Sequence, residues 1–203
     1  MSEQSDQLKR AKGSVRHEVR ALRDALPPED RERAAAAIHD RALAEIARVG
    51  PAATVMAFWS FGSEVPTAPL IERLSLRGDR VALPRIVDGD LEARLYRPGD
   101  PVTETPFGAR KPEGGSVLDP GDIDVVLTPG LGFDRRGYRV GYGKGYYDRF
   151  LARTGPPTRH MALCFALQVV EAVPAASFDL PVDVIVTEEE RIDCAAARRG
   201  SPD

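Results

Sequence analysis

The sequence predicts an α/β fold: an open, mostly parallel sheet with helices on both faces, expected as a single domain over residues 1–203. Three observations predict it. Short strands of unbroken apolar character alternate with helical segments, the pattern of a sheet buried on both faces. A chain of 203 residues is long enough for one substantial core. A content of 42% hydrophobic and 29% charged residues is that of an ordinary globular chain, and no fixed-period repeat interrupts it.

Taken in order, residues 5–49 read as two helices. Leu8, Ala11, Val15, Val19, Leu22 and Leu26 recur at helical spacing, Pro27 and Pro28 break the pattern, and Gly50-Pro51 ends the alanine-rich second helix. Residues 53–58 form a short buried strand. A helix over 66–77 starts near Pro66 and stops at Gly78. Residues 80–83 form a strand ended by Pro84, and 91–96 a weaker one. Residues 97–122, rich in Gly and Pro, read mostly as loop. Residues 123–127 are the strongest strand, followed by a glycine-rich loop and a helix over 145–153. Residues 160–165 and 182–187 are the last strands, and about 193–203 a frayed tail. Ligands of such sheets sit beyond the carboxyl ends of the strands, which directs attention to the loops after Trp59, Thr128 and Thr187.

Composition narrows the function. Mean hydropathy is −0.29, no apolar run approaches the ~20 residues of a membrane span, and the N-terminus has no apolar core of a secretory signal. Two distant cysteines, Cys164 and Cys194, without a CxxC pair, fit a reducing cytoplasm better than a disulfide framework. A net charge of −3 gives no global attraction to nucleic acid. The expectation is a cytoplasmic monomer that acts on small molecules and binds neither membrane nor nucleic acid, with any anion site built locally.

That local site is residues 128–151, TPGLGFDRRGYRVGYGKGYYDRFL. It holds six of the 18 glycines and four of the five tyrosines. Over residues 130–149, five basic side chains (Arg135, Arg136, Arg139, Lys144, Arg149) face two acids (Asp134, Asp148). Glycines let backbone N–H groups approach an anion closely. A helix starting after Gly145 adds free N–H groups. Lys144 is a point charge for a phosphate, Arg139 can fork two phosphate oxygens, and Asp148 could hold Mg²⁺ beside phosphate oxygens. Common motifs do not fit. A P-loop would need glycine where Tyr138 stands and Ser or Thr where Gly145 stands, and the glycine spacing is not that of the dinucleotide fingerprint. His17-Glu18 lacks the second histidine of a zinc-protease motif. Composition alone says only that this is an anion or nucleotide site.

The segment RRGYRVGYGKGYYDRFL closely resembles the signature of the 5-formyltetrahydrofolate cyclo-ligases, also called 5,10-methenyltetrahydrofolate synthetases. Arg139, Val140, Gly141, Gly143, Gly145, Tyr146, Tyr147 and Asp148 carry it. Three further features agree in order and spacing: Lys12 and Arg16 on the N-terminal helix, SFGSEVPT with Glu64 and Thr67, and FDLPVDVIVTE with Asp179 and Asp183. The resemblance runs from about Lys12 to Glu188. It implies an ATP- and Mg²⁺-dependent conversion of 5-formyltetrahydrofolate to 5,10-methenyltetrahydrofolate, with ADP and phosphate released. It places ATP on Lys12, Arg16 and the run Arg139, Val140, Gly141, Tyr142, Gly143, Lys144, Gly145, Tyr146 and Tyr147. Catalytic charge stabilisation falls to Lys144 and Arg139, and metal binding to Asp148 and Asp179. Folate contacts fall to Phe61, Glu64 and Pro66, and to residues 142–146, where the two ligand sites adjoin. The chain departs from the family at Pro66, where some members have an acid, and mildly at Tyr142, where others have Arg or Tyr.

By itself, the basic series Lys12, Arg16, Arg20, with Lys9 and Arg23 nearby, reads as a solvated helix face. The resemblance lifts Lys12 and Arg16 out of it and leaves Arg20 and Arg23 solvated. Glu64 could equally cap the next helix, and Asp179 could be a turn acid. His17, His39 and His160 lack metal-ligand spacing and read as structural. Trp59 reads as core, and Phe61 as facing the folate ring. Two alternatives stay open: a paralogous ATP-binding enzyme for another small molecule, and a non-catalytic nucleotide-sensing module.

Overall fold

In the computed structural model, which describes residues 3–106 and 108–200, two helices precede the sheet, α1 (Glu3–Asp24) and α2 (Pro28–Ala47). Pro28 stands at the first turn of α2, where its missing N–H would have had no helical partner. Then follow β1 (Thr54–Met56), α3 (Ala68–Leu76), β2 (Arg80–Val87), β3 (Asp90–Tyr96), β4 (Val102–Glu104), β5 (Arg110–Pro112), β6 (Val117–Leu118) and β7 (Val125–Thr128). The glycine-rich segment holds β8 (Gly132–Asp134), β9 (Arg139–Val140) and α4 (Tyr146–Leu151). The chain continues with β10 (Arg159–Leu163), β11 (Val169–Val170), β12 (Val184–Val186), β13 (Arg191–Asp193) and α5 (Cys194–Gly200).

Eight strands form the main sheet in the order β13-β12-β10-β7-β1-β2-β3-β6. The five central strands, β12 to β2, are parallel, and the outer pairs are antiparallel. The central strands are apolar without a break because each successive side chain meets a different helical layer. Val55, Val125 and Leu127 pack with Ile38 and Ile46 of α2 and Leu70 and Leu74 of α3. Their neighbours Met56 and Val126 turn to the other face, against Phe150 and Leu151 of α4. A third cluster joins Ala162, Cys164 and Ile185 to Cys194 at the start of α5. Leu127 is fully buried, so its truncation to Ala would cost about 2–5 kcal/mol.

The architecture is the expected one, and four details differ from expectation. β2 does not stop at Pro84 but runs through it, paired with Ala93 of β3. The last parallel pair between β1 and β2 is Met56 with Ala82, so Pro84 lies where β2 no longer has a β1 partner and a missing N–H costs little. The glycine-rich segment is not loop throughout: β8 and β9 pair with each other, and β11 adds to β8. Of the tail expected over about 193–203, residues 193–200 are not frayed, because β13 pairs with β12 and α5 buries Cys194, and residues 201–203 lie outside the described residues. The apolar series of α1 is only partly buried: Val19 is buried, while Leu22 is 52% exposed. This helix lies against the glycine-rich segment rather than inside the core.

The chain steps from β1 outward to β2 on one side and later places β7 on the other side of β1. The loops leaving β1 and β7 therefore diverge from adjacent strands, the switch point where sheets of this kind bind ligands.

Candidate active site

The loop after β1 delivers Phe61, Ser63 and Glu64. Thr67 sets its course: its backbone N–H donates to the Ser60 hydroxyl (3.0 Å), and its own hydroxyl donates to the Phe58 carbonyl (2.6 Å). Glu64 is 7% exposed. One carboxylate oxygen accepts from the Phe61 backbone N–H (3.1 Å) and the other from the Tyr142 hydroxyl (2.8 Å). Glu64 thus closes its own loop and does not cap α3. Burial pushes its pKa up, and the bonds from Tyr142 and Phe61 and the charge of Arg23 oppose that rise. Burial, followed by the Glu64 charge, raises Tyr142 to about 12, so its hydroxyl stays a donor. The Phe61 and Tyr142 rings lie 5.3 Å apart, tilted by 35°. Pro66 lends its carbonyl to His39 Nε2 (2.7 Å), a structural use of that histidine.

Tyr142 belongs to the glycine-rich loop, so one side chain ties Glu64 to the candidate phosphate site. Arg16 pins the same loop from α1, donating from Nε to the Gly141 carbonyl (2.7 Å). Gly143 and Gly145 have φ of 93° and 66°, conformations that favour glycine and turn the chain sharply into α4. Lys144 between them is exposed, and its Nζ makes no hydrogen bond among the described residues. Lys12 forms an ion pair with Asp179, which also accepts from the Ala176 backbone N–H (2.6 Å). Arg16 therefore lies against the glycine-rich loop, and Lys12 against the segment that carries Asp179.

Arg139 is 7% exposed. It donates to the Leu180 carbonyl (2.6 Å) and to Asp148 (2.8 Å), and the Leu180 N–H returns to the same Asp148 oxygen (3.4 Å). Burial pulls the Arg139 pKa down, and the charges of Asp148 and then Asp179 push it back. The two acids expected to hold a metal are thus neighbours in one charge network, each paired with a cation. No group of three or more His, Cys, Asp or Glu that could hold a metal occurs among the described residues. Two carboxylates match the sparse protein ligation of Mg²⁺, which takes its remaining ligands from water and phosphate. Val140 is buried in β9, with its carbonyl bonded to the Leu131 N–H (2.7 Å). Tyr146 and Tyr147 pack on the α4 side of the core. The Tyr147 hydroxyl is buried without a hydrogen-bond partner among the described residues.

Two places differ from expectation. The loop after Thr187 is tied down by Arg41, which donates to the carbonyls of residues 187–189, and none of its side chains joins the Glu64 or Arg139 networks described here. Arg23 is not solvated. It is 3% exposed and reaches Ser63 and Tyr142. The spacing Lys12, Arg16, Arg23 places all three on one helical face, a signal that was present in the sequence. Arg20 does remain exposed, 5.6 Å from the Tyr142 ring centre. Asp183 holds the His160 backbone N–H (3.0 Å), the structural role open to it.

The cavity shared by Arg23, Glu64, Gly130 and Gln168 measures about 10 Å³, room for one water. A larger one of about 350 Å³ lies at the amino ends of β10 and β12, around Arg159, Asp183 and Arg199. That is the opposite end of the strands from the loop that carries Glu64, so its size does not make it the site.

The chain is similar to known proteins of one family. The sequence model of the 5-formyltetrahydrofolate cyclo-ligase family matches residues 8–188. A 5-formyltetrahydrofolate cyclo-ligase of Escherichia coli (strain K12) is 33% identical over 175 residues, covering 83% of this chain and 96% of that protein. One from Mus musculus is 29% identical, covering 88% and 94%. The solved 5,10-methenyltetrahydrofolate synthetase of Aquifex aeolicus superposes with a TM-score of 0.77 at 28% identity, covering 95% of each chain.

Proposed function

The chain belongs to the 5-formyltetrahydrofolate cyclo-ligase family, and from that premise we propose that it cyclises 5-formyltetrahydrofolate to 5,10-methenyltetrahydrofolate at the expense of ATP. The observation that carries this reading is the Tyr142–Glu64 hydrogen bond (2.8 Å), which sets a buried carboxylate against the glycine-rich loop. Folate contacts come from Phe61, Glu64, Pro66 and residues 142–146, and ATP contacts from Lys12, Arg16 and residues 139–147. The protein acts as a cytoplasmic monomer on these small molecules, within one domain.

The chemical problem is a poor electrophile. The N5 nitrogen donates into the formyl carbonyl, and its oxygen is a poor leaving group. The formyl oxygen attacks the γ-phosphorus of ATP and ADP departs, leaving an N5-iminium phosphate. N10 adds to the same carbon and loses its proton, and phosphate leaves with the C–O bond electrons. No side-chain nucleophile is required, and neither cysteine has a role. Burial raises the thiols of Cys164 and Cys194, which keeps them unreactive.

The protein's tasks are alignment and charge stabilisation. Lys144 is the free cation for the transferring phosphoryl group. Arg139 is the second, its guanidinium oriented by Asp148 and the Leu180 carbonyl. Lys12 and Arg16 hold further phosphate charge. Asp148 and Asp179 would hold Mg²⁺, which neutralises phosphate oxygens when bound. Glu64, an acceptor on both oxygens when ionised, suits the N–H donors on a pterin's polar edge.

The test is direct. Protein incubated with 5-formyltetrahydrofolate, ATP and Mg²⁺ should generate the absorbance of the methenyl product, and omission of ATP should abolish it. ATP binding without product formation would instead favour the nucleotide-sensing reading.

A further inference from the structure

Glu64 poses a physical problem that its own hydrogen bonds do not solve. Two neutral donors, the Tyr142 hydroxyl and the Phe61 N–H, hold it in a place where burial favours the protonated acid. A protonated carboxyl offers a donor where a pterin edge needs an acceptor. Arg23 supplies the missing cation from α1. Its Nε donates to the Ser63 hydroxyl (2.9 Å), and Ser63 directly precedes Glu64. Its Nη2 reaches the Tyr142 hydroxyl at 3.5 Å, and that hydroxyl donates to Glu64. The Ser63 hydroxyl donates a hydrogen bond to the Asp24 carboxylate, so Arg23 and Asp24 at the end of α1 both bind that hydroxyl. Nη1 is buried without a hydrogen-bond partner among the described residues.

We propose that Arg23 is a positioning residue: by gripping Ser63 and Tyr142 it keeps the Glu64 carboxylate ionised and oriented as an acceptor for the folate. This rests on the assignment of Glu64 to the folate side. The charged and titratable groups around Glu64 are Arg23 from α1, Tyr142 from the glycine-rich loop and Tyr147 from α4, with Asp24 approaching through Ser63. Among the described residues, Arg23 is the cation whose charge opposes the effect of burial on Glu64. Removing it raises the Glu64 pKa further, so the acid limb of folate kcat/KM moves to higher pH.

The experiment measures kcat/KM for 5-formyltetrahydrofolate and KM for ATP from pH 5.5 to 9 in wild type, R23M, R23K and E64Q. R23M should raise folate KM roughly 10-fold, the effect of losing one charge-assisted contact. It should leave ATP KM within about two-fold and shift the acid limb upward. R23K keeps the charge but has no planar fork. It should restore the acid limb while folate KM stays raised, a separation that loss of packing alone would not produce. R23M with wild-type folate KM and acid limb, or with ATP KM raised as much as folate KM, overturns the proposal. Should R23M fail to fold, R23K carries the test: folate KM raised alone supports it, and both KM values unchanged overturn it. E64Q with unchanged folate KM overturns the folate-side assignment itself, whatever Arg23 does.

Discussion

The site holds carboxylates in two different ways. Glu64 is buried and is held by neutral donors, with the Arg23 guanidinium one hydroxyl away. Asp148 and Asp179 form direct ion pairs with Arg139 and Lys12. The first arrangement presents a fixed acceptor to an uncharged polar edge. The second is a set of exchangeable pairs, in which a phosphate can replace a carboxylate on the cation and a metal can replace the cation on the carboxylate. The difference teaches that charge alone does not mark ligand chemistry here. What separates the proposed folate side from the proposed nucleotide side is whether the acid's partner is a dipole or an ion.

Substitutions can break or sharpen that contrast. The largest effect is expected at Lys144. K144A removes the free cation of the nucleotide side and should lower kcat by roughly 100-fold, since one electrostatic clamp is worth a few kcal/mol. Wild-type turnover in a stopped assay would remove Lys144 from the mechanism. Next is Glu64. E64A should raise folate KM by roughly 30-fold, the effect of about two hydrogen bonds, and change ATP KM less; the reverse ranking would exchange the two sides. D148N should then raise the Mg²⁺ concentration for half-maximal activity by roughly 10-fold. It also leaves the buried Arg139 without its counter-charge, so thermal unfolding should begin several degrees lower. An unchanged metal titration would leave Asp148 a purely structural partner of Arg139.

The smallest effect comes from a control acid outside the site. Glu45 is buried at the end of α2 and meets Arg191 (2.8 Å), Arg159 (2.6 Å) and Arg48 (3.3 Å). The Arg191 hydrogen bond, against burial, holds its pKa below the usual glutamate value. A depressed folded-state pKa stabilises above the unfolded value and loses that stabilisation as pH falls through the folded one. Melting temperature should therefore fall on acidification below about pH 4.5. E45Q should flatten that slope, with a change of about 3 °C, and leave both KM values unchanged. A change in either KM would show that ion pairs at the far end of the sheet reach the site.

How much of this could be read beforehand follows from the range of each interaction. Central strands such as 125–128 were plain because burial on both faces writes an unbroken apolar run. Short pairings such as β8 with β9 were not, because a three-residue strand next to glycines has no period to detect. Lys144 and the glycines were visible as a local concentration of types. The helical face that Arg23 shares with Lys12 and Arg16 is legible in the sequence, but its burial is not, because a basic residue on an amphipathic helix looks the same whether it meets water or a buried loop.

The sequence by itself determined the α/β class, the concentration of glycine, tyrosine and basic residues over 130–149 and the family resemblance, since all three are written in neighbouring residues or in short periods. Only the tertiary structure decided that Glu64 meets Tyr142, 78 positions away, that Arg139 is buried against Asp148, and that Arg23 turns inward. Those pairings depend on where the strands deliver their loops, and a low-dielectric interior then makes each partner matter.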